Sequence, residues 1–163
     1  MINVAGEIKN SNTNGPGLRY VLFVQGCPHH CNGCQNEHTW SFKENRLMSI
    51  DEIFKLIANE IPIIKGVTFS GGEPFEQASE LSMLAKHCKE IGLNIMTYTG
   101  YTYEQLQLKS ILKESGIYQL LYYTDILIDG NFDKNKTDNP GIYRGSSNQR
   151  MIFLNKGKII KIK

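Results

Sequence analysis

Residues 20–34 read YVLFVQGCPHHCNGC. The opening YVLFV is a continuous apolar run of β-formers, the pattern of a strand buried on both faces, and such strands belong to parallel sheets covered by helices. The loop that follows carries Cys27, Cys31 and Cys34 at C-x₃-C-x₂-C spacing. Outward from this strand the chain alternates. From Ser49 onward Ile50, Ile53, Phe54, Ile57 and Ile61 recur at helical spacing, and Ser49 with Glu52 forms a capping-box signal. Residues 67–69 predict a second strand, and Leu81, Leu84, Cys88 and Ile91 mark one face of a helix that Gly92 ends. Residues 93–98 predict a third strand, and Thr102 with Gln105 caps a helix expected to run to about Ser115. Residues 126–128 predict a fourth strand. Residues 151–154 and 159–162, joined through NKGK, predict a C-terminal β-hairpin.

This alternation argues an α/β fold with a mainly parallel sheet. A complete eight-unit barrel needs roughly 250 residues, and the chain has 163. An open, partial β/α barrel is therefore expected, as a single domain over residues 1–163 with the hairpin at its end. An unusual polar or glycine-rich segment follows each predicted strand: QGC, SGGEP, YTGY and DGNF. The carboxyl ends of parallel strands share one rim where ligands bind, so the four segments outline one site.

Composition excludes several classes of function. Lys and Arg total 18 against 16 Asp and Glu. No basic run or aromatic-interleaved basic stripe appears, so a nucleic-acid surface is not expected. No basic segment leads into an apolar one at the N-terminus, and no apolar stretch approaches the roughly 18 residues of a membrane helix. Clustered, reduced thiols in such a chain point to the cytoplasm.

Three thiols on one short loop cannot form a disulfide framework, because one is left over. They can hold three corners of a [4Fe–4S] cube, whose fourth iron is then open to a ligand. A structural zinc site of the Cys₃His kind is the alternative, with His29, His30 or His38 as the fourth ligand. SGGEP favours the cluster: Gly71 and Gly72 leave backbone accessible to a ligand, and Glu73 offers a carboxylate to an ammonium group, neither of which a zinc staple needs.

Together these features resemble the radical S-adenosylmethionine enzymes. The resemblance narrows to the glycyl-radical activases. GPGLRYVLFVQGC running into CNGCQNEHTW, then SGGEP, YTGY, LIDGNF and YRGSSNQR, look like the activating proteins of anaerobic ribonucleoside-triphosphate reductases, in order from about Gly15 to Arg150. The resemblance implies that Cys27, Cys31 and Cys34 hold the cluster and that Gly71, Gly72 and Glu73 bind the methionine end of S-adenosylmethionine. Gly33 stands where an aromatic residue is common in the superfamily, and Gln35 where relatives often carry tyrosine. Adenine contact is therefore expected from the backbone of Gly33, Cys34 and Gln35. It further implies a low-potential electron donor and, as partner, the large catalytic subunit of the reductase, on which a glycyl radical is made. Cluster and cosubstrate carry that chemistry, so no side-chain acid, base or nucleophile is expected. The rival readings are an activase for another glycyl-radical enzyme, another small radical enzyme, and a non-catalytic zinc module.

The remaining residues read more plainly. Cys88 is expected in the core, His29 and His30 as solvated loop residues, and Trp40 as a wedge packing the cysteine loop. Arg19 reads equally as a surface charge or a local structural residue. Residues 132–149 show no sustained period, and loops of that length are usually functional or disordered. Tyr143 and Arg144 are the expected partner anchors there, since aromatic residues and arginine are enriched at interfaces.

Overall fold

In a computed structural model, which describes residues 1–112 and 116–163, β2 (Arg19–Val24) is buried along almost its whole length. It pairs in parallel with β4 (Gly66–Gly71), β4 with β5 (Asn94–Tyr98), and β5 with β6 (Ile126–Asp129). Antiparallel strands flank this parallel centre. β1 (Ile2–Ser11) lies beside β2 and carries β3 (Arg46–Met48); β7 (Arg150–Asn155) lies beside β6 and carries β8 (Lys158–Ile162). The eight strands form one mixed sheet in the order β3-β1-β2-β4-β5-β6-β7-β8. The fold is α/β with a parallel core and a C-terminal hairpin, as the alternation of elements predicts.

The helices are α1 (Ile50–Ala58), α2 (Ala78–Glu90), α3 (Tyr103–Ile111) and α4 (Ile117–Tyr123). Both predicted capping boxes form: Ser49 with Glu52 opens α1, and Thr102 with Gln105 opens α3. The part of the expected α3 that extends to Ser115 lies outside the described residues. Strand alternation divides the apolar residues between two faces. Leu22, Phe69, Ile95 and Leu127 join the helices in the main core, while Met96, Ile126, Ile128 and Met151 form a smaller cluster with Tyr98 and Tyr143.

Three elements go beyond the reading of the sequence. β1 is rich in Asn, Gly, Lys and Glu, poor strand formers, and is held by pairing on both of its edges. β3 has only three residues, and α4 is a seven-residue segment, IYQLLYY, too short to display a helical period.

Arg19 is a structural residue. Its side chain is completely buried, with Nε donating to Thr68 Oγ1 at 2.7 Å and the terminal nitrogens to the carbonyls of Pro16, Val67 and Asn94. Burial lowers its pKa to about 10, still a cation at neutral pH. Gly66 makes the space, since a Cβ there would come within 2.5 Å of the guanidinium. Thr68 passes the chain of bonds on to the Asn14 carbonyl, so one arginine fixes the segment before β2 to the sheet. Arg19→Lys offers fewer donors in a different geometry. It is expected to lower stability by about 1–3 kcal/mol through the carbonyls left unpaired, measured by chemical denaturation.

Candidate functional site

The parallel strands β2, β4, β5 and β6 deliver their carboxyl ends to one rim, and the four glycine-rich or polar segments meet there. Cys27, Cys31 and Cys34 line one cavity together with Gly71, Gly72 and Glu73. Thr99 and Gly100 from the end of β5, and Gly130 and Phe132 after β6, complete its wall. A second cavity adjoins it, sharing Cys34, Ser70 and Tyr98, and carries Gln35, Tyr143 and Arg144.

Every thiol of the loop is free. Cys27 is buried, which pushes its pKa up to about 11 against backbone N–H groups of His29 and His30 that act in the opposite sense. Burial also raises the Cys31 pKa, opposed by the backbone N–H of Phe132. Cys34 Sγ accepts from the Asn36 N–H at 3.3 Å. A sulfur flanked by amide donors is prepared to carry negative charge once a metal displaces its proton. The three thiols stand around one cavity. As soft donors with amide partners, they fit an iron–sulfur cluster.

Glu73 is the hub of the rim. It is 1% exposed, and each carboxylate oxygen accepts two hydrogen bonds. Oε1 takes the Phe75 N–H at 3.0 Å and the Thr99 hydroxyl at 2.8 Å. Oε2 takes the Gly100 N–H at 2.8 Å and His29 Nε2 at 2.7 Å. One carboxylate thereby ties the cysteine loop to the ends of β4 and β5. The paired glycines before it serve close packing. The Gly72 and Glu73 N–H groups donate to the Val24 and Gly26 carbonyls, and a Cβ on Gly72 would lie 2.2 Å from the Gly26 oxygen.

Residues 13–152 match the model of the 4Fe–4S single cluster domain. The chain is 35% identical over 143 residues to the anaerobic ribonucleoside-triphosphate reductase-activating protein of Enterobacteria phage T4, covering 85% of each chain. It is 37% identical over 145 residues to the protein of that name from Vibrio cholerae, covering 83% of this chain and 88% of that one. This chain belongs to the family of anaerobic ribonucleoside-triphosphate reductase-activating proteins. Among solved structures, QueE from Escherichia coli is similar with a TM-score of 0.48 at 21% identity, over 62% of this chain and 52% of that chain.

For a member of the activating-protein family, the cavity gathers most of the residues that the sequence singles out. Cys27, Cys31, Cys34, Gly71, Gly72 and Glu73 line the first cavity and Gln35 the second, whereas Gly33 lines neither and faces Lys134. His29 departs from its expected place in solvent. Its side chain is 11% exposed, bonded to Glu73 and edge-on to the Tyr101 ring at 4.5 Å. His30 is exposed, as expected, and stacks on Trp40 at 4.7 Å, which makes Trp40 the support of the cysteine loop. Thr99, Gly100, Asn131 and Gln149 escape a reading by residue type, because polar pairing across dozens of positions leaves no periodic trace. Their only signal was membership in the motifs YTGY, DGNF and RGSSNQ. No helix among the described residues is long and apolar enough to cross a membrane.

Proposed function

We propose that this protein is a radical S-adenosylmethionine activase that generates the glycyl radical of an anaerobic ribonucleoside-triphosphate reductase. One observation carries the reading: three amide-flanked thiols share a cavity with the Gly71-Gly72-Glu73 turn at the carboxyl ends of parallel strands. The open eight-stranded sheet is then a partial β/α barrel of the radical S-adenosylmethionine type, a single domain whose rim bears the site.

Cys27, Cys31 and Cys34 would hold a [4Fe–4S] cluster and leave one iron to the amino and carboxylate groups of S-adenosylmethionine. When bound, cluster and cosubstrate supply reductive cleavage to methionine and a 5′-deoxyadenosyl radical, which takes a hydrogen atom from a glycine α-carbon of the large reductase subunit, the electron coming from a low-potential donor. The chain's own residues hold and enclose these groups. The Gly71-Gly72-Glu73 turn would hold the methionine end, and Glu73 could accept its ammonium in place of the His29 side-chain donor. The backbone at Cys34 and Gln35 would form the adenine side of the site, with Gly33 behind it. Trp40, with His30 stacked on it, would brace the cysteine loop.

The test is anaerobic reconstitution with iron and sulfide, reduction, and addition of S-adenosylmethionine. Release of 5′-deoxyadenosine, and a glycyl radical on the added reductase subunit, are expected. A colourless protein binding zinc alone would reject the reading.

The partner surface in this reading is the 132–149 loop, which begins on the same rim. Tyr143 and Arg144 are half-buried on the second cavity, and the Tyr143 carbonyl accepts the Tyr98 hydroxyl at 2.7 Å. Tyr143→Ala combined with Arg144→Ala is expected to lower glycyl-radical formation at least tenfold, the scale of an interface hot spot, while uncoupled cleavage of S-adenosylmethionine continues. A parallel fall of both activities would assign the loop to the cosubstrate site, and no change in either would leave it a connection only.

A further inference from the structure

Antiparallel pairing of β6 with β7 brings Asp129 opposite Arg150, where the strands end. The pairing does not stop there. Arg150 Nε donates to Asp129 Oδ1 at 2.9 Å, Gln149 Nε2 to the Gly130 carbonyl at 3.0 Å, and Asn148 Nδ2 to the Asn131 carbonyl at 2.8 Å. Two steps further on, the Asp133 N–H donates to Ser146 Oγ at 3.1 Å. Each rung keeps the strand register, but side chains replace backbone on the β7 side. Gln149 is itself fixed, since its Oε1 accepts the N–H groups of Gly145 and Ser146. The RGSSNQR and DGNF motifs are the two sides of this ladder.

The DGNF side bears directly on the cysteine loop. Cys31 Sγ lies 3.6 Å from Asn131 Oδ1, and the Phe132 N–H faces the same sulfur. A Cβ on Gly33 would be 3.3 Å from Lys134 Cβ and 3.7 Å from the Phe132 ring. The turn cannot shift without changing what surrounds Cys31. The Gly130 N–H holds the start of that turn through the Tyr101 carbonyl at 2.9 Å, and at Asn131 the carbonyl is bonded to the Asn148 side chain.

We propose that Asn148 and Gln149 are positioning residues for the iron ligand Cys31, acting through the Gly130–Phe132 turn, and that they thereby set the reduction potential of the cluster. This rests on the proposed assignment of Cys31 as a cluster ligand. An N–H directed at a ligand sulfur stabilises the reduced, more negative cluster, so its loss moves the potential down.

Asn148→Ala and Gln149→Met each remove a rung without adding charge, and both are made in the full chain. Hydrogen exchange of the metal-free protein is expected to show faster exchange at residues 130–132, with the amides of the central strands unchanged. The reconstituted cluster, titrated by its paramagnetic resonance signal, is expected to shift to more negative potential by up to about tenfold in the reduction equilibrium, ~59 mV for one electron. A wild-type potential in both variants would overturn the inference, even with faster exchange, because the ladder would then be structural only. A wild-type protein that takes up no iron and sulfide would instead overturn the proposed function, and this is seen before any variant is compared.

Discussion

Serine at Cys27, Cys31 or Cys34 is expected to abolish assembly of the iron–sulfur cluster, while serine at Cys88 leaves it intact. The three loop sulfurs line one cavity and each faces a backbone N–H, an arrangement that suits a thiolate bound to iron. A serine oxygen is a hard donor that stays protonated near neutral pH and replaces a soft ligand poorly. Cys88 differs in every respect. It is fully buried on α2 in the main core, and burial alone pushes its thiol up to about 12, so it stays neutral. Cys88→Ser places a hydroxyl among apolar neighbours at a cost of about 1–3 kcal/mol, or roughly 2–4 °C in Tm per kcal/mol for a chain of this size. Iron and acid-labile sulfide, measured in all four variants, check the assignment. Cluster loss in Cys88→Ser, with the three loop variants retaining theirs, would reject it.

Glu73→Gln is expected to weaken both the fold and cosubstrate binding. Each carboxylate oxygen accepts one backbone N–H, from Phe75 or Gly100, and one side-chain donor, from Thr99 or His29. The side-chain donors adapt, since a hydroxyl rotates and an imidazole changes tautomer. The backbone donors do not. Glutamine has one acceptor oxygen, so whichever way its amide lies, one backbone N–H faces an NH₂ group. An unpaired buried donor costs about 1–3 kcal/mol, and thermal melting of the metal-free protein reads that cost. Loss of a charge-assisted bond to the methionine ammonium is worth about 1.5–3 kcal/mol, or roughly 10- to 150-fold in S-adenosylmethionine affinity. The two measurements separate the roles of the carboxylate. A lowered Tm with unchanged affinity would make Glu73 purely an internal tie, and an unchanged Tm would show that its four bonds contribute nothing to the fold.

Most of the site was legible because the chain announces it locally. The cysteine spacing, SGGEP and the strand before each odd segment are short-range patterns, and parallel topology then places them on one rim. What escaped was the wiring between them. His29 reads as a loop histidine until Glu73, far along the chain, is seen to accept a hydrogen bond from it. Arg19 reads equally as a surface charge or a structural residue until carbonyls from three separate segments are seen to converge on it. The glycine pair has a packing duty that residue type does not reveal: a Cβ on Gly72 would meet the backbone of Gly26, while both glycines line the cavity. Strand β1 escaped because its stability comes from the neighbours on both of its edges and not from its own residues.

The ladder between DGNF and RGSSNQR bears on how the protein is made. The cysteine loop leaves the ribosome roughly a hundred residues before Asn148 and Gln149, and synthesis proceeds at about 5–20 residues per second. During those seconds the thiols lack the Phe132 amide and the turn that flanks Cys31, and β6 has no β7 to pair with. The nascent chain therefore passes through an interval in which its three sulfurs are open to oxygen and stray metal. The surroundings of Cys31 are completed only once the residues leading into the C-terminal hairpin have been made.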